Sequence, residues 1–401
     1  MAKRDQKQAK QNARKEKLRK QKAYLKNHSG TGIAVTNINL DEVMTAAVRL
    51  HQDGELSEAA RIYRQVIKLQ PSHPDALSSL AMVESENKRF DISIDLLQRA
   101  IQIVDNNAGY HMNLGSVFGE IGNLEDAAIN YQRAIELAPD YPDPYYNLGN
   151  LYLKAGQAKA GIAIFDRCIA ATGRDFHALA YKAHALLDAG EIHESEFLLN
   201  HESFVKRYSF EPPPGYESIE ALNQALAHHV STHQSLQHNV RATMGGDHTG
   251  ELLSDPKGPM SEMEEIINNA VAWYKKQLPD LFNHPFLLNE PTAWRLTAWG
   301  VVLRNKGHER PHIHPNGWLS GVLYVQLPKI ISDPEAQPKG WLEFGRPTKD
   351  LHVTTGPKTQ AYQPQYGNII LFPSYFYHGT IPSGSREKRI CISFDAQPIY
   401  Q

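Results

Sequence analysis

Cysteine is nearly absent. The 401 residues contain two, Cys168 and Cys391, far apart in the chain. A disulfide framework is thereby excluded, and a reducing compartment, the cytoplasm, is the expected setting. Long apolar runs are missing as well. No window approaches the ~18 uninterrupted apolar residues that a membrane helix needs. The first residues carry no apolar signal segment, so a soluble protein with no membrane span is expected. Net charge is almost lacking, at −2 from 42 basic and 44 acidic side chains. With 41 % apolar and 21 % charged residues, the composition is that of an ordinary globular protein. It excludes a wholly disordered chain and a collagen-like one. The length predicts two or three domains.

The near-zero balance hides an asymmetry. Residues 1–27 carry eleven basic and two acidic side chains, or +9, so the rest of the chain carries −11. A segment this basic and this poor in apolar residues cannot bury a core, and 1–30 is expected to be a disordered tail. Such a tail either touches an anionic surface such as nucleic acid or simply keeps the protein soluble. The acidic body is not expected to bind nucleic acid.

What is abundant is repetition. Four small or apolar pairs recur at a fixed interval of 34 residues: Ala46-Ala47, Leu80-Ala81, Leu114-Gly115 and Leu148-Gly149. Thirteen residues beyond the first member of each pair stand Ala59, Ser93, Ala127 and Gly161, all small. Four further on come the large residues Tyr63, Leu97, Tyr131 and Phe165. Small positions let two amphipathic helices approach, and the large residue fills the groove between them. A helix-turn-helix period of 34 resembles the tetratricopeptide repeat. The resemblance covers about 41–176, with a degraded fifth unit at 177–205 in which Ala183, Leu186 and Ser195 keep the spacing; an eroded terminal repeat reads as a cap. It implies an α-solenoid over 41–205 that binds a protein or peptide, and no chemistry of its own.

After Ser209 the pattern stops at a breaker cluster, Phe210-Glu211-Pro212-Pro213-Pro214-Gly215, a candidate domain seam. Helices are expected at 217–237 and 260–278, with a Gly/Asp/Pro-rich loop at 244–259 between them. Strands are expected at 295–304, 318–327, 340–344, 368–372 and 388–395. Many short strands after a helical preface predict a β-sandwich or jelly-roll barrel. The whole is multidomain, α then α+β.

Nineteen histidines make chance clusters inevitable. His229 and His233 lie four apart on an expected helix, but Val230, Ser231 and Thr232 between them leave no place for the Glu of a zinc-protease motif. His312 and His314 differ. They sit in Arg310-Pro311-His312-Ile313-His314-Pro315-Asn316-Gly317, between two strands, and a spacing of two in extended backbone puts both rings on one side. Downstream, Ser374-Tyr375-Phe376-Tyr377-His378 adds a third histidine, and Arg389 follows eleven residues later. A close pair, a distal histidine and a following arginine have the order of a facial metal triad with an anion clamp. Open positions opposite three protein ligands suit non-haem Fe(II), and a guanidinium binds a carboxylate in bidentate fashion. Ser393 shares the strand face of Arg389. Cys391 alternates with apolar neighbours and is expected to be buried packing, and Trp318, Trp341 and Phe376 either line a substrate pocket or belong to the core.

These residues resemble the 2-oxoglutarate/Fe(II)-dependent dioxygenases. Within them the chain is similar to a bacterial and phage branch whose strands read His-x-His-Pro, then Leu-Ser-Gly-Val-x-Tyr, then Phe-Pro…His…Arg-Ile. Here these are His312, His314 and Pro315, Leu319 to Val322 with Tyr324, then Phe372, Pro373, His378, Arg389 and Ile390. The resemblance spans about 210–401. It implies a double-stranded β-helix that takes Fe(II) and 2-oxoglutarate and usually hydroxylates an unactivated C–H bond. On it, His312, His314 and His378 bind the metal, with no catalytic residue beyond the ligands, and Arg389, Tyr324 and Ser393 hold 2-oxoglutarate. The pattern departs from the superfamily's His-x-Asp or His-x-Glu pair: either His314 takes the carboxylate position or, with His314 first, Asn316 does. Arg386 and Lys388 stand close enough in sequence to replace Arg389. Two rival readings keep the same residues: a repeat scaffold with a degenerate jelly roll, and a cupin-like metalloenzyme that does not use 2-oxoglutarate.

Overall fold

The computed structural model describes residues 39–238, 242–356 and 358–400. The expected basic tail, 1–30, lies outside them. The chain divides into two compact units, Met1–Asn106 and Asn107–Gln401.

The described part of the first unit is four helices: α1 (Leu40–Gln52), α2 (Leu56–Leu69), α3 (Pro74–Glu86) and α4 (Phe90–Ile103). Local chemistry marks their starts. The Asn39 side chain accepts from the Asp41 amide, and the His73 ring accepts from the Ala76 amide one residue before Pro74, so otherwise orphaned N–H groups are capped. Ala47, Ala59, Ala81 and Ser93 are buried, as are Tyr63 and Leu97. The Ser93 hydroxyl donates to the Ala81 carbonyl at 2.7 Å, a contact that only small residues on both helices permit.

The second unit begins with α5 (Ala108–Glu120), α6 (Leu124–Leu137), α7 (Asp143–Lys154), α8 (Ala158–Thr172), α9 (Phe176–Asp188), α10 (Ile192–Leu198) and α11 (His201–Phe204). Here the pairing of small with large can be measured. A Cβ on Gly115 would lie 2.8 Å from the Tyr131 ring, and one on Gly149 would lie 2.3 Å from the Phe165 ring. The degraded fifth repeat keeps the same device as the second: Ser195 donates to Ala183 at 2.7 Å.

The same unit continues into an antiparallel β domain with a helical preface, α12 (Ile219–Thr232), α13 (Met260–Lys276) and α14 (Pro285–Leu288). One seven-stranded sheet runs β1-β8-β5-β10-β4-β3-β2, and a three-stranded sheet runs β7-β6-β9. The large sheet holds β1 (Lys206–Ser209), β2 (Gln237–His238), β3 (Thr243–His248), β4 (Ala293–Glu309), β5 (Leu319–Gln326), β8 (Asn368–Pro373) and β10 (Arg389–Ile399); the small one holds β6 (Leu342–Phe344), β7 (Gln360–Tyr362) and β9 (His378–Thr380). Every strand pairing is antiparallel, and the architecture is a helical repeat array followed by a jelly-roll β domain.

The five expected strands are present. The expected loop over 244–259 needs correction, because β3 occupies its start. Gly246 is there for a close approach: a Cβ would meet the Val302 carbonyl at 2.6 Å, at the point where the β3–β4 register shifts. Trp318 and Phe376 prove to be core, both fully buried. The Trp318 ring stacks on Phe286 at 4.8 Å and 3°. Repeat helices and β domain share that core, since Phe176 of α9 stacks on Tyr375 at 5.9 Å and the Tyr274 hydroxyl donates to the Phe204 carbonyl at 2.8 Å. Among the described residues no helix is long and apolar enough to cross a membrane.

Candidate metal centre

The segment between β4 and β5 returns beside β9, and backbone hydrogen bonds fix it there. His312 and His378 exchange both N–H···O bonds at 3.0 Å, and the His314 amide donates to the Ser374 carbonyl at 2.9 Å. This pairing carries the proximal histidines to the distal one across a long sequence gap. Ring centroids of His312 and His378 are 4.4 Å apart, those of His314 and His378 4.9 Å, and those of His312 and His314 5.0 Å. One nitrogen from each ring lies within 4.8 Å of the others, a group that could hold a metal ion.

Each imidazole has its Nδ1 against an acceptor. His312 meets the Arg310 carbonyl at 2.8 Å, His378 meets the Phe376 carbonyl at 2.9 Å, and His314 meets the Asp395 carboxylate at 2.7 Å. Assigning the Nδ1 proton from these partners leaves Nε2 as the lone-pair nitrogen of every ring, the arrangement that prepares histidine for a metal. Burial holds His312 below the ordinary imidazole value, with the His314 ring adding to the effect. Burial depresses His378 further, again reinforced by its two neighbours. Both are therefore neutral near pH 7. Asp395 also accepts from the Ser320 hydroxyl at 2.6 Å, so its charge sits in a fixed place behind His314.

Asp395 was not singled out in the sequence, although a signal existed. Residues 389, 391, 393 and 395 alternate onto one face of β10, and the face that carries Arg389 and Ser393 ends at Asp395. Asn316 is exposed on the rim of the outer cleft and outside the three-histidine group. The rings of His229 and His233 lie 5.4 Å apart, and neither belongs to that group.

Behind the histidines is a narrow inner pocket lined by Tyr324, Arg389, Ser393, Glu309, Phe372 and Leu342, among others. Arg389 is 3 % exposed. Its Nη1 donates to the Thr380 hydroxyl at 3.3 Å, and its guanidinium lies 4.9 Å from the Tyr324 ring centre. Arg389 Nε and the Tyr324 hydroxyl are buried without a hydrogen-bond partner among the described residues. Arg386 and Lys388, the sequence alternatives, are exposed. Cys391 is buried, and burial pushes its thiol up to about 12. In front of the histidines lies an open cleft of about 530 Å³, shared by Trp299, Glu309, His312 and His314.

Comparison with known proteins follows this division. Residues 297–395 match a family model described as "Putative 2OG-Fe(II) oxygenase". Residues 45–109, 117–156 and 142–173 match tetratricopeptide-repeat models. The chain joins tetratricopeptide repeats to a C-terminal domain of the 2OG-Fe(II) oxygenase type. Part of the chain is similar to several other proteins. Cellulose synthase operon protein C of Pseudomonas fluorescens (strain SBW25) is 31 % identical over 123 residues, 29 % of this chain and 10 % of that protein. Tetratricopeptide repeat protein 8 of Caenorhabditis elegans is 22 % identical over 130 residues, 32 % of this chain and 26 % of that protein. The chain thus spans between a tenth and about a quarter of these relatives. Among solved structures, MamA is 24 % identical, covering 37 % of this chain and 87 % of that one, with a TM-score of 0.34. PilF of Pseudomonas aeruginosa is 18 % identical, covering 47 % and 82 %, with a TM-score of 0.37.

The inner pocket of the oxygenase-type domain has the chemistry its cofactors would need. Three imidazoles, two of them held neutral by burial, suit a borderline divalent metal such as Fe(II). A buried guanidinium with an unpartnered Nε, next to an unpartnered phenol, suits a carboxylate.

Proposed function

We propose that the C-terminal domain is a 2-oxoglutarate- and Fe(II)-dependent dioxygenase, specifically a hydroxylase, and that the repeats recruit its protein or peptide substrate. The observation that carries the reading is Arg389. A guanidinium held at 3 % exposure, with no carboxylate paired to it among the described residues, costs several kcal/mol unless an anion joins it. That anion has to enter the pocket that the three histidines close.

In this reading His312, His314 and His378 hold the metal through Nε2. The first and third offer their lone pairs without first losing a proton, because burial keeps them neutral. Asp395 keeps the His314 ring in the Nδ1–H tautomer and makes its far nitrogen more basic. Arg389 binds the distal carboxylate of 2-oxoglutarate, with the Tyr324 and Ser393 hydroxyls as further donors. Fe(II) and 2-oxoglutarate, when bound, would supply hydroxylation of a C–H bond by O2, one oxygen atom ending in the C–OH and the other in the succinate left when the keto acid loses CO2. Phe372 and Leu342 keep the inner pocket apolar, which strengthens each of these polar contacts. The substrate approaches through the cleft beside Trp299 and Glu309. Both cysteines are buried free thiols, which suits a cytoplasmic setting.

The test is anaerobic titration of the purified protein with Fe(II) and then 2-oxoglutarate, followed by the visible charge-transfer absorption of the chelate. The wild type should develop the band, and His378→Ala should not. Metal binding with no band in the wild type would overturn the 2-oxoglutarate assignment. No metal binding at all would overturn the enzyme assignment.

A further inference from the structure

The loop that joins β6 to β7 in the small sheet runs across the first helices of two successive repeats, α7 and α9. Asn150 of α7 donates to the Asp350 carbonyl at 2.6 Å and accepts from the His352 amide at 2.8 Å. One side-chain amide thus pairs with the C=O of one residue and the N–H of the second residue on, as a neighbouring β-strand would. The carboxylate of Asp188 in α9 accepts from the Thr354 and Thr355 amides at 2.7 and 2.5 Å. The ring of His184, one 34-residue period after Asn150, lies 3.0 Å from the Gly345 carbonyl. Repeat-equivalent positions therefore grip the same loop.

Two properties mark this as peptide recognition. The contacts of Asn150 and His184 reach only the backbone of the loop, and at Asp188 the Thr354 and Thr355 hydroxyls join their amides, so an extended segment of another sequence could make most of them. Leu351 is inserted, at 3 % exposure, and Val353 packs half-buried against the core, while His352, Thr354 and Thr355 stay exposed. Burial by itself would push the Asp188 carboxyl up, but the amides of Thr354 and Thr355, with their hydroxyls, more than offset it and hold it below the ordinary carboxylate range. The contact is thus anionic acceptor to amide donor, a stronger kind of hydrogen bond.

We propose that the surface of α7 and α9 is a peptide-binding site occupied in cis by residues 350–355, and that an extended segment of a partner protein competes for Asn150 and Asp188. The proposal rests on the recruiting role of the repeats and adds how it is regulated. Residues 345–356 continue directly from β6, where Phe344 pairs with His378 and the Gly345 amide donates to the Tyr377 carbonyl at 2.9 Å. A partner that displaces the loop therefore loosens the strand that backs the distal histidine, and by reciprocity ligands at the histidines tighten the loop and weaken the partner.

The probe is a labelled synthetic peptide of residues 349–356, with binding read by fluorescence anisotropy on the full chain. A tethered segment acts at an effective concentration near millimolar, so the wild type should bind the probe ~10²-fold more weakly than a chain whose residues 349–356 are replaced by a Gly/Ser linker of equal length. Adding Asn150→Ala and Asp188→Ala to the linker chain should abolish the gain. Equal probe binding by the wild type and the folded linker chain overturns the proposal. Should the linker chain fail to fold, hydrogen exchange on Asn150→Ala decides. The His352 amide should exchange about tenfold faster than in the wild type once its hydrogen bond is lost; an unchanged rate overturns the proposal. Neither readout needs metal or turnover, so failure of the oxygenase assignment would leave both intact.

Discussion

Replacing Asp395 isolates what holds the metal site in register. The carboxylate sits 2.7 Å from His314 Nδ1 and 2.6 Å from the Ser320 hydroxyl, and it is 7 % exposed. Asp395→Asn keeps the size and can still accept from Nδ1–H, but it turns a charge-assisted bond into a neutral one, a loss of about 1 kcal/mol. Since ~1.4 kcal/mol is a factor of ten, Fe(II) affinity should fall about fivefold to tenfold. Asp395→Ala removes the partner altogether and leaves Nδ1 only the Ser320 hydroxyl at 3.1 Å; losses of 10–100-fold are typical for ligand-orienting partners, and ~100-fold is expected here. Anaerobic titration calorimetry measures both, with Co(II) as an air-stable check. Ser393→Ala is the control, because Ser393 lines the inner pocket and holds no imidazole in place. The reasoning is refuted if Asp395→Ala binds metal like the wild type, or if Asn and Ala weaken it equally while Ser393→Ala does so too.

Arg389→Ala should leave metal binding within a fewfold of wild type while raising the 2-oxoglutarate requirement at least ~10²-fold, the cost of removing one partner from a buried charged pair; titration of the chelate absorption checks it. In the repeats, Gly149→Ala drives a Cβ to 2.3 Å from the Phe165 ring and should cost about 1–3 kcal/mol by overpacking. Gly119→Ala meets nothing closer than 3.6 Å and should be neutral or stabilising by up to ~1 kcal/mol, so thermal melts should move in opposite directions. His201 and His284 are both held at about 4 by burial, against 6.5 for the free side chain. The unfolded chain therefore binds protons that the fold refuses, and stability is intact above pH 6.5 and lost as pH falls toward 4. At pH 5 the two together should remove about 4 kcal/mol relative to pH 7.5, which urea unfolding at the two values would reveal; an unchanged midpoint would count against it.

The parts of the molecule legible in the sequence are those where one physical requirement repeats. Gly149 and Phe165 stand sixteen apart because one fills the space the other vacates, and that relation recurs at Gly115 and Tyr131. Strands β4, β5, β8 and β10 are long enough for their apolar, β-branched composition to declare itself. The short strands β1, β7 and β9 give too few residues for a period of two. β3 was hidden because Gly245, Gly246 and Asp247 read as turn residues, whereas Gly246 serves a close approach to β4.

At the site, the spacing of His312 and His314 and the order His378 then Arg389 pointed to residues that the fold brings to one pocket. Asp395 is not legible because it lies far from His314 in the sequence and touches the ring rather than joining the three-histidine group. The carboxylate that the His-x-His pair lacks is found behind His314, hydrogen-bonded to the ring. Nothing in the sequence could disclose that Asn150 and Asp188 grip the loop at 350–355. Those contacts read mostly backbone, which leaves no trace in residue identity.

The central claim is that Arg389 and the three histidines form one cofactor site. Its most direct measurement is the anaerobic chelate titration on four chains: wild type, His378→Ala, Arg389→Ala and Arg389→Lys. The account predicts a visible band in the wild type, none in His378→Ala, and a band displaced to much higher 2-oxoglutarate in Arg389→Ala that Arg389→Lys partly restores. A band that forms in Arg389→Ala at wild-type 2-oxoglutarate concentrations would contradict it.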